Sequence, residues 1–133
     1  MIETRINREY VRTDCWSVIA KTCKEENGYN WLEVRIPNIA AGGLLFLSSE
    51  QYEAGDYLWF DLQIDPMTPG VVGNIRMKVK GQIKGDRGKR EGLHSYSVEF
   101  TEISKSDRIR LDELIRMTNF KYKLESTSDI FDR

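Results

Sequence analysis

The sequence predicts an all-β-dominated domain: a six-stranded antiparallel (split) β-barrel carrying one C-terminal amphipathic α-helix. Three observations predict it. Short segments alternating apolar with polar residues recur along the chain, and turns rich in Gly, Asn, Asp and Pro separate them. About six such segments, none with a long crossover, indicate a closed or nearly closed barrel. Near residue 106 the period changes once, and Ile109, Leu111, Leu114, Ile115 and Met117 fall on a single helical stripe.

Each element follows from its own pattern. Met1–Arg12 mixes charge with Ile2, Ile6, Tyr10 and Val11 and makes neither a strong strand nor a long helix, so it reads as an arm. Asp14–Glu25 is β-branched and aromatic, with Trp16, Val18 and Ala20 on one face, and Asn27-Gly28 signals a short hairpin. Trp31–Ile36 and Leu44–Ser48 are strands around a small-residue turn, Asn38 to Gly43. The paired glycines let that turn take positive φ or approach another group closely.

Tyr57–Ile64 alternates cleanly, with Leu58, Phe60, Leu62 and Ile64 inward. The two prolines of Asp65–Gly70 deny donors to any ladder, which makes it a loop. Val71–Lys84 puts Ile75, Met77, Val79, Gly81 and Ile83 inward, with Arg76, Lys78, Lys80, Gln82 and Lys84 outward. Gly85–Gly92 reads as a flexible hairpin loop, and Tyr96, Val98 and Phe100 form the inner face of the last strand. Ser106 is the candidate N-cap of a helix over about residues 107–118. The organisation expected is an arm over 1–13, a barrel with trailing helix over 14–118, and an extension over 119–133.

Bulk properties narrow the function. At 133 residues one domain can bury a real core without a metal or disulfide. A net charge of −1 argues against coating a nucleic-acid polymer, yet leaves room for a small basic pocket. Cys15 and Cys23, if on one strand, stand about 26 Å apart, beyond disulfide reach. With His94 the lone histidine, no metal-ligand spacing or catalytic triad can be assembled, and no carboxylate pair, phosphate loop or dinucleotide fingerprint is present. Neither a leader nor a membrane span is visible, so the expectation is a cytoplasmic protein that is not an enzyme.

The arginines stand out. Arg8 and Arg12 lie four apart around Tyr10 in a segment with little core of its own, with Arg5 just before. A guanidinium offers a planar fork for phosphate oxygens or the guanine edge and a flat face that stacks on a base. Against this stands the plainer reading of three solvated charges near a terminus.

The chain resembles the PilZ domain family of bacterial cyclic di-GMP receptors. The family's two arginines separated by three residues match Arg8-Glu9-Tyr10-Val11-Arg12, and its second motif matches Asn38 and Gly43 of Asn38-Ile39-Ala40-Ala41-Gly42-Gly43. Gly43–Phe46, Val98–Ile103 and the helix behind them are also similar to family members. The resemblance implies a cyclic di-GMP site built from Arg8, Arg12, Asn38, Ala40 and Gly43, with Arg5, Tyr10 and Ser97 around it. The arm would wrap the barrel, the Asn38 side chain would meet a guanine edge, and no other cofactor is implied.

Two departures bear on the ligand: Ala40 stands where Ser is usual, and Ser97 where Gly is common. The function implied is a stand-alone sensor that signals to an effector protein, in motility, exopolysaccharide or biofilm machinery. The alternative is a barrel of the same kind that engages proteins without the nucleotide. A third reading is an oligonucleotide-binding barrel using Arg76, Lys78, Lys80 and Lys84 with exposed aromatics.

Overall fold

The computed structural model describes residues 11–12, 16–66 and 75–116. The strands are β1 (Val11–Arg12), β2 (Trp16–Cys23), β3 (Leu32–Ala40), β4 (Gly43–Ser48), β5 (Tyr57–Pro66), β6 (Ile75–Arg90) and β7 (Leu93–Glu102). One helix, α1, covers residues 105–116. The hydrogen-bonded order is β3-β2-β5-β6-β7-β4, and β4 pairs back with β3, closing a six-stranded antiparallel barrel. The two-residue β1 lies against β3, beyond the stretch of β3 that pairs with β2.

Period-two alternation decides what lies inside. Leu58, Phe60, Leu62 and Ile64 of β5 are buried, as are Met77, Val79 and Ile83 of β6 and Tyr96, Val98 and Phe100 of β7. Removing each such side chain from water contributes roughly 1.5–3 kcal/mol before entropy is counted. Phe46 sits among the rings of Phe60, Tyr96 and Tyr52, with centroids 5.3, 5.4 and 5.7 Å away. Tyr96 Oη accepts a hydrogen bond from the Tyr52 amide at 2.9 Å, so the phenol is satisfied inside the core. Burial pushes the Tyr52 phenol itself up from its ordinary value, with a Ser48 hydrogen bond acting the other way.

The helix leaves β7 at the end where β2 begins and β3 finishes, and Leu111, Leu114 and Ile115 join the barrel core. Its N-cap is Ser104 rather than Ser106. Ser104 Oγ accepts from the Asp107 amide at 3.1 Å, and its carbonyl accepts from the Arg108 amide at 3.0 Å. Ile109, expected on the buried stripe, is 48% exposed, so the stripe is narrower than its periodicity suggested.

Other boundaries also move. β3 continues through Pro37, Asn38 and Ala40, which leaves only Ala41–Gly42 as the turn. β6 continues to Arg90, so the expected loop 85–92 is a paired hairpin reversing at Glu91 and Gly92, both at positive φ. The β2–β3 connection covers residues 24–31, with Gly28 N donating to Glu25 O, and is longer than Asn27-Gly28 alone implies. Within the expected arm, Val11–Arg12 forms a two-residue strand. Expectations placed on Arg5, Arg8, Tyr10, Cys15, Met117 and the extension lie outside the described residues.

Candidate functional site

Strand register assembles the site. Asn38 stands directly opposite Leu45, Leu45 opposite Ser97, and Ser97 opposite Gly85, a row running across β3, β4, β7 and β6. At the β1 edge the same row begins with Arg12, whose Cα partner is Asn38. The adjacent row, Ile39–Leu44–Val98–Ile83, is core, with exposures of 0, 1, 3 and 1%. Because neighbouring rows alternate between faces, the Asn38 row is on the outside of the barrel. The next outward row holds Ala40, Gly43, Glu99 and Gln82.

A bulge aims Asn38 outward. Val34 and Ile36 are buried with Arg35 exposed, and an unbroken alternation would turn Asn38 into the core. The register of β3 against β4 slips between Arg35 and Asn38, at Pro37, and Ile39 becomes the inward residue instead. Proline cannot donate to a ladder, so a bulge is where a strand accommodates it, and the slip turns the following residues over.

Gly43 has a structural task of its own. A Cβ there would overlap the Val98 carbonyl oxygen and lie 3.3 Å from Glu99 Cα. Close approach is therefore the reason for this glycine, and the approached group is the backbone of β7. Neither Gly42 nor Gly43 has positive φ, and a Cβ on Gly42 would meet nothing within 4 Å. Gly81 flanks β7 from the other side, where a Cβ would overlap Val98 Cγ1.

The resulting surface carries mostly small or half-buried side chains. Asn38, Ser97 and Leu45 are half-buried, and Ala40 is 5% exposed although it lies on an outward row. The Ser97 hydroxyl donates to Gly85 O at 3.5 Å, a long bond that ties it to β6. At the rim Arg35 Nη2 pairs with Glu91 at 3.2 Å, joining the tip of the β6–β7 hairpin to β3, and Lys84 pairs with Glu99 at 3.6 Å. A planar ligand with polar edges fits such a surface: backbone and small side chains allow close approach, and Asn38 supplies both a donor and an acceptor.

Of the sequence-predicted site residues, the fold brings together Asn38, Ala40, Gly43 and Ser97, and sets the backbone of Arg12 beside them. Arg5, Arg8 and Tyr10 lie outside the described residues. Leu45, Gly85 and Glu99 were missed as members of this face. Nothing local marks them; they join it through pairing between strands far apart in sequence.

A closed six-stranded antiparallel barrel with a trailing helix and a small-residue outer face at the β3–β4 hairpin defines the class of fold. The PilZ domain family model matches residues 6–117, and the chain belongs to that family. Its fold is similar to that of the Bacillus subtilis inhibitor of motility (MotI/DgrA), with a TM-score of 0.67 at 17% identity over 85% of this chain. That match covers 51% of the Bacillus protein, so the present chain spans about half its length. It is also similar to the PilZ domain, with c-di-GMP, of YcgR from Escherichia coli. There the TM-score is 0.51 at 14% identity, over 83% of this chain and 88% of that one. No curated protein sequence matches the chain significantly. Among the described residues no helix is long and apolar enough to cross a membrane.

Proposed function

We propose that this chain is a cyclic di-GMP-binding adaptor of the cytoplasm, in which the nucleotide closes an arginine-bearing arm onto the outer face of the barrel. One observation carries the reading: β1 sets Arg12 directly opposite Asn38, so the end of the arginine segment and the start of the Asn38–Gly43 segment are paired neighbours. Family membership supports it, as does the likeness to a domain whose structure holds c-di-GMP.

In this reading residues 1–13 act as the arm, 14–118 as the barrel with its helix, and 119–133 as an extension. Arg8 and Arg12 clamp the phosphates and stack on guanine, and Asn38 hydrogen-bonds a guanine edge. Ala40 and Gly43 keep the surface open, with Arg5, Tyr10 and Ser97 at its margin. The ordered arm then presents a changed surface to an effector protein.

Calorimetry with cyclic di-GMP tests this. Arg8→Ala and Arg12→Ala should each weaken binding by about 1.5–3 kcal/mol, roughly tenfold to a hundredfold, as expected for charge-assisted contacts. No heat from the unmodified chain at millimolar nucleotide would sink the proposal.

Ala40 favours a second reading, a barrel that engages proteins without the nucleotide, because it offers no hydroxyl and is nearly covered. Ala40→Ser separates the two. A receptor weakened by the missing hydroxyl should gain about 0.5–1.5 kcal/mol. A barrel that has lost its ligand should gain nothing.

A further inference from the structure

The side of the barrel built from β2, β5 and β6, opposite Asn38 and Gly43, carries a different chemistry. Register sets three outward rows across it: Ile19–Gln63–Arg76, Lys21–Asp61–Lys78 and Cys23–Trp59–Lys80. Trp31, one residue before β3, reaches the same surface. Lys78 Nζ stands 5.5 Å from its ring centroid, and the Trp31 indole donates to Gly28 O at 2.9 Å, which fixes its orientation. Lys80 Nζ lies 5.2 Å from the Tyr57 ring and 5.9 Å from Trp59. Tyr57 and Ile19 are about half exposed, at 49% and 52%.

The charges on this face are unevenly satisfied. Arg76 pairs with Asp61 at 3.1 Å. Lys21, Lys78 and Lys80 make no ion pair among the described residues; Glu33 and Glu102 stand opposite Lys21 and Lys80 at the margins without bridging them. Two ammonium groups are thus held over three aromatic rings, each with donors left for an incoming anion.

We propose that this face docks an acidic segment of a partner protein, whose carboxylates reach Lys78 and Lys80 while an apolar side chain lies against Trp31, Tyr57 and Trp59. Tryptophan and tyrosine on an outward sheet face are the residues that anchor protein interfaces. Lys78 and Lys80 are two positions apart on one strand, so about 6.6 Å separates them. Carboxylates two apart on a strand match that spacing, and those four apart on a helix come close to it. Single-stranded nucleic acid fits less well, because a net charge of −1 does not favour a polyanion. The inference rests on the adaptor half of the function proposed above and not on nucleotide binding.

The test is a titration of the full chain, followed by the indole N–H signals of Trp31 and Trp59 in nuclear magnetic resonance. The probes are a short synthetic Glu/Leu peptide, a matched Lys/Leu peptide and oligo(dT). The Glu/Leu peptide should move both indole signals, with an affinity that falls as salt rises. Lys78→Glu/Lys80→Glu should weaken it about tenfold or more, and Lys78→Gln/Lys80→Gln should weaken it in the same direction. Arg8→Ala/Arg12→Ala should bind the peptide as the unmodified chain does. Loss there would place the peptide on the nucleotide face and overturn the proposal, while leaving nucleotide binding a separate question. Unmoved indole signals at millimolar peptide, or equal binding by the charge-reversed variant, would also overturn it. Tighter binding of oligo(dT) than of the acidic peptide would reassign the face to single-stranded nucleic acid.

Discussion

The two sides of this barrel share one core and are finished in opposite ways. Behind the β3–β4–β7 side runs the buried row Ile39–Leu44–Val98, and behind the β2–β5–β6 side the equally buried row Ala20–Leu62–Met77. Outward, the first side shows Asn38, Ala40, Gly43, Leu45 and Ser97, and the second shows Trp59, Tyr57, Ile19 and a set of cations. Closing the barrel constrains the inward positions of both alike and leaves the outward ones open. The contrast is the one the two proposals make use of: a bare face would admit a flat ligand to the backbone, and a loaded face would offer anchors to a protein.

The largest effect should come from the bare face, because the missing side chain at Gly43 is also a packing requirement. Gly43→Ala forces a Cβ into the Val98 carbonyl, and β7 has little room to retreat with Gly81 close on its other side. Overpacking of this kind costs typically about 1–3 kcal/mol, and urea unfolding should place Gly43→Ala near the top of that range. Gly42→Ala, where a Cβ meets nothing within 4 Å and φ is not positive, should change stability by less than about 0.5 kcal/mol. Equal stabilities for the two variants would show that the bare face is shaped for a ligand alone and not by strand contact.

The loaded face should yield less. Trp59 is half-buried, so Trp59→Ala removes fewer contacts than the about 3–5 kcal/mol loss typical of a fully buried aromatic. A loss of about 1–2 kcal/mol in thermal unfolding is expected, with cyclic di-GMP affinity unchanged. Altered affinity for the nucleotide in this variant would mean that the two sides are coupled through the core.

These contrasts were only partly visible in the sequence. The inward residues of β5, β6 and β7 were legible because alternation is a local signal and burial obeys it. The reach of β3 was not. Pro37 reads locally as a break, yet neighbouring strands hold the chain extended on both sides of it, and tertiary pairing overrides the local preference. The same holds for β6, whose residues 85–90 look like a loop because their glycines and charges carry no core pattern, and which pair with β7 all the same.

At the site, motif spacing picked out Asn38 and Gly43, but the reason given for Gly43 was incomplete. The neighbour that demands a glycine, Val98, is 55 positions away and unknown until the register is. The aromatic backing of the loaded face was hidden for a related reason. An alternating basic strand has the look of an ordinary solvated face, and only the packing of Trp31, Tyr57 and Trp59 under Lys78 and Lys80 distinguishes it.

The smallest predicted effect on stability is the one that separates the two sides most cleanly. Asp61 is the carboxylate at the centre of the loaded face, and its bond to Arg76 is well formed but exposed, with 70% of the arginine side chain in solvent. Exposed pairs contribute about 0–1 kcal/mol, so Asp61→Asn should leave the unfolding midpoint nearly unchanged. It does free the Arg76 guanidinium and raise the local charge by one. An acidic peptide should then bind a few-fold tighter at low salt, and the gain should fade as salt shortens the screening length toward about 8 Å. Cyclic di-GMP, proposed to bind at the Asn38–Gly43 side of the barrel, should bind as before. If peptide and nucleotide respond to Asp61→Asn together, the two faces share one electrostatic field and are not independent surfaces. If only the peptide responds, the division of labour across the barrel stands.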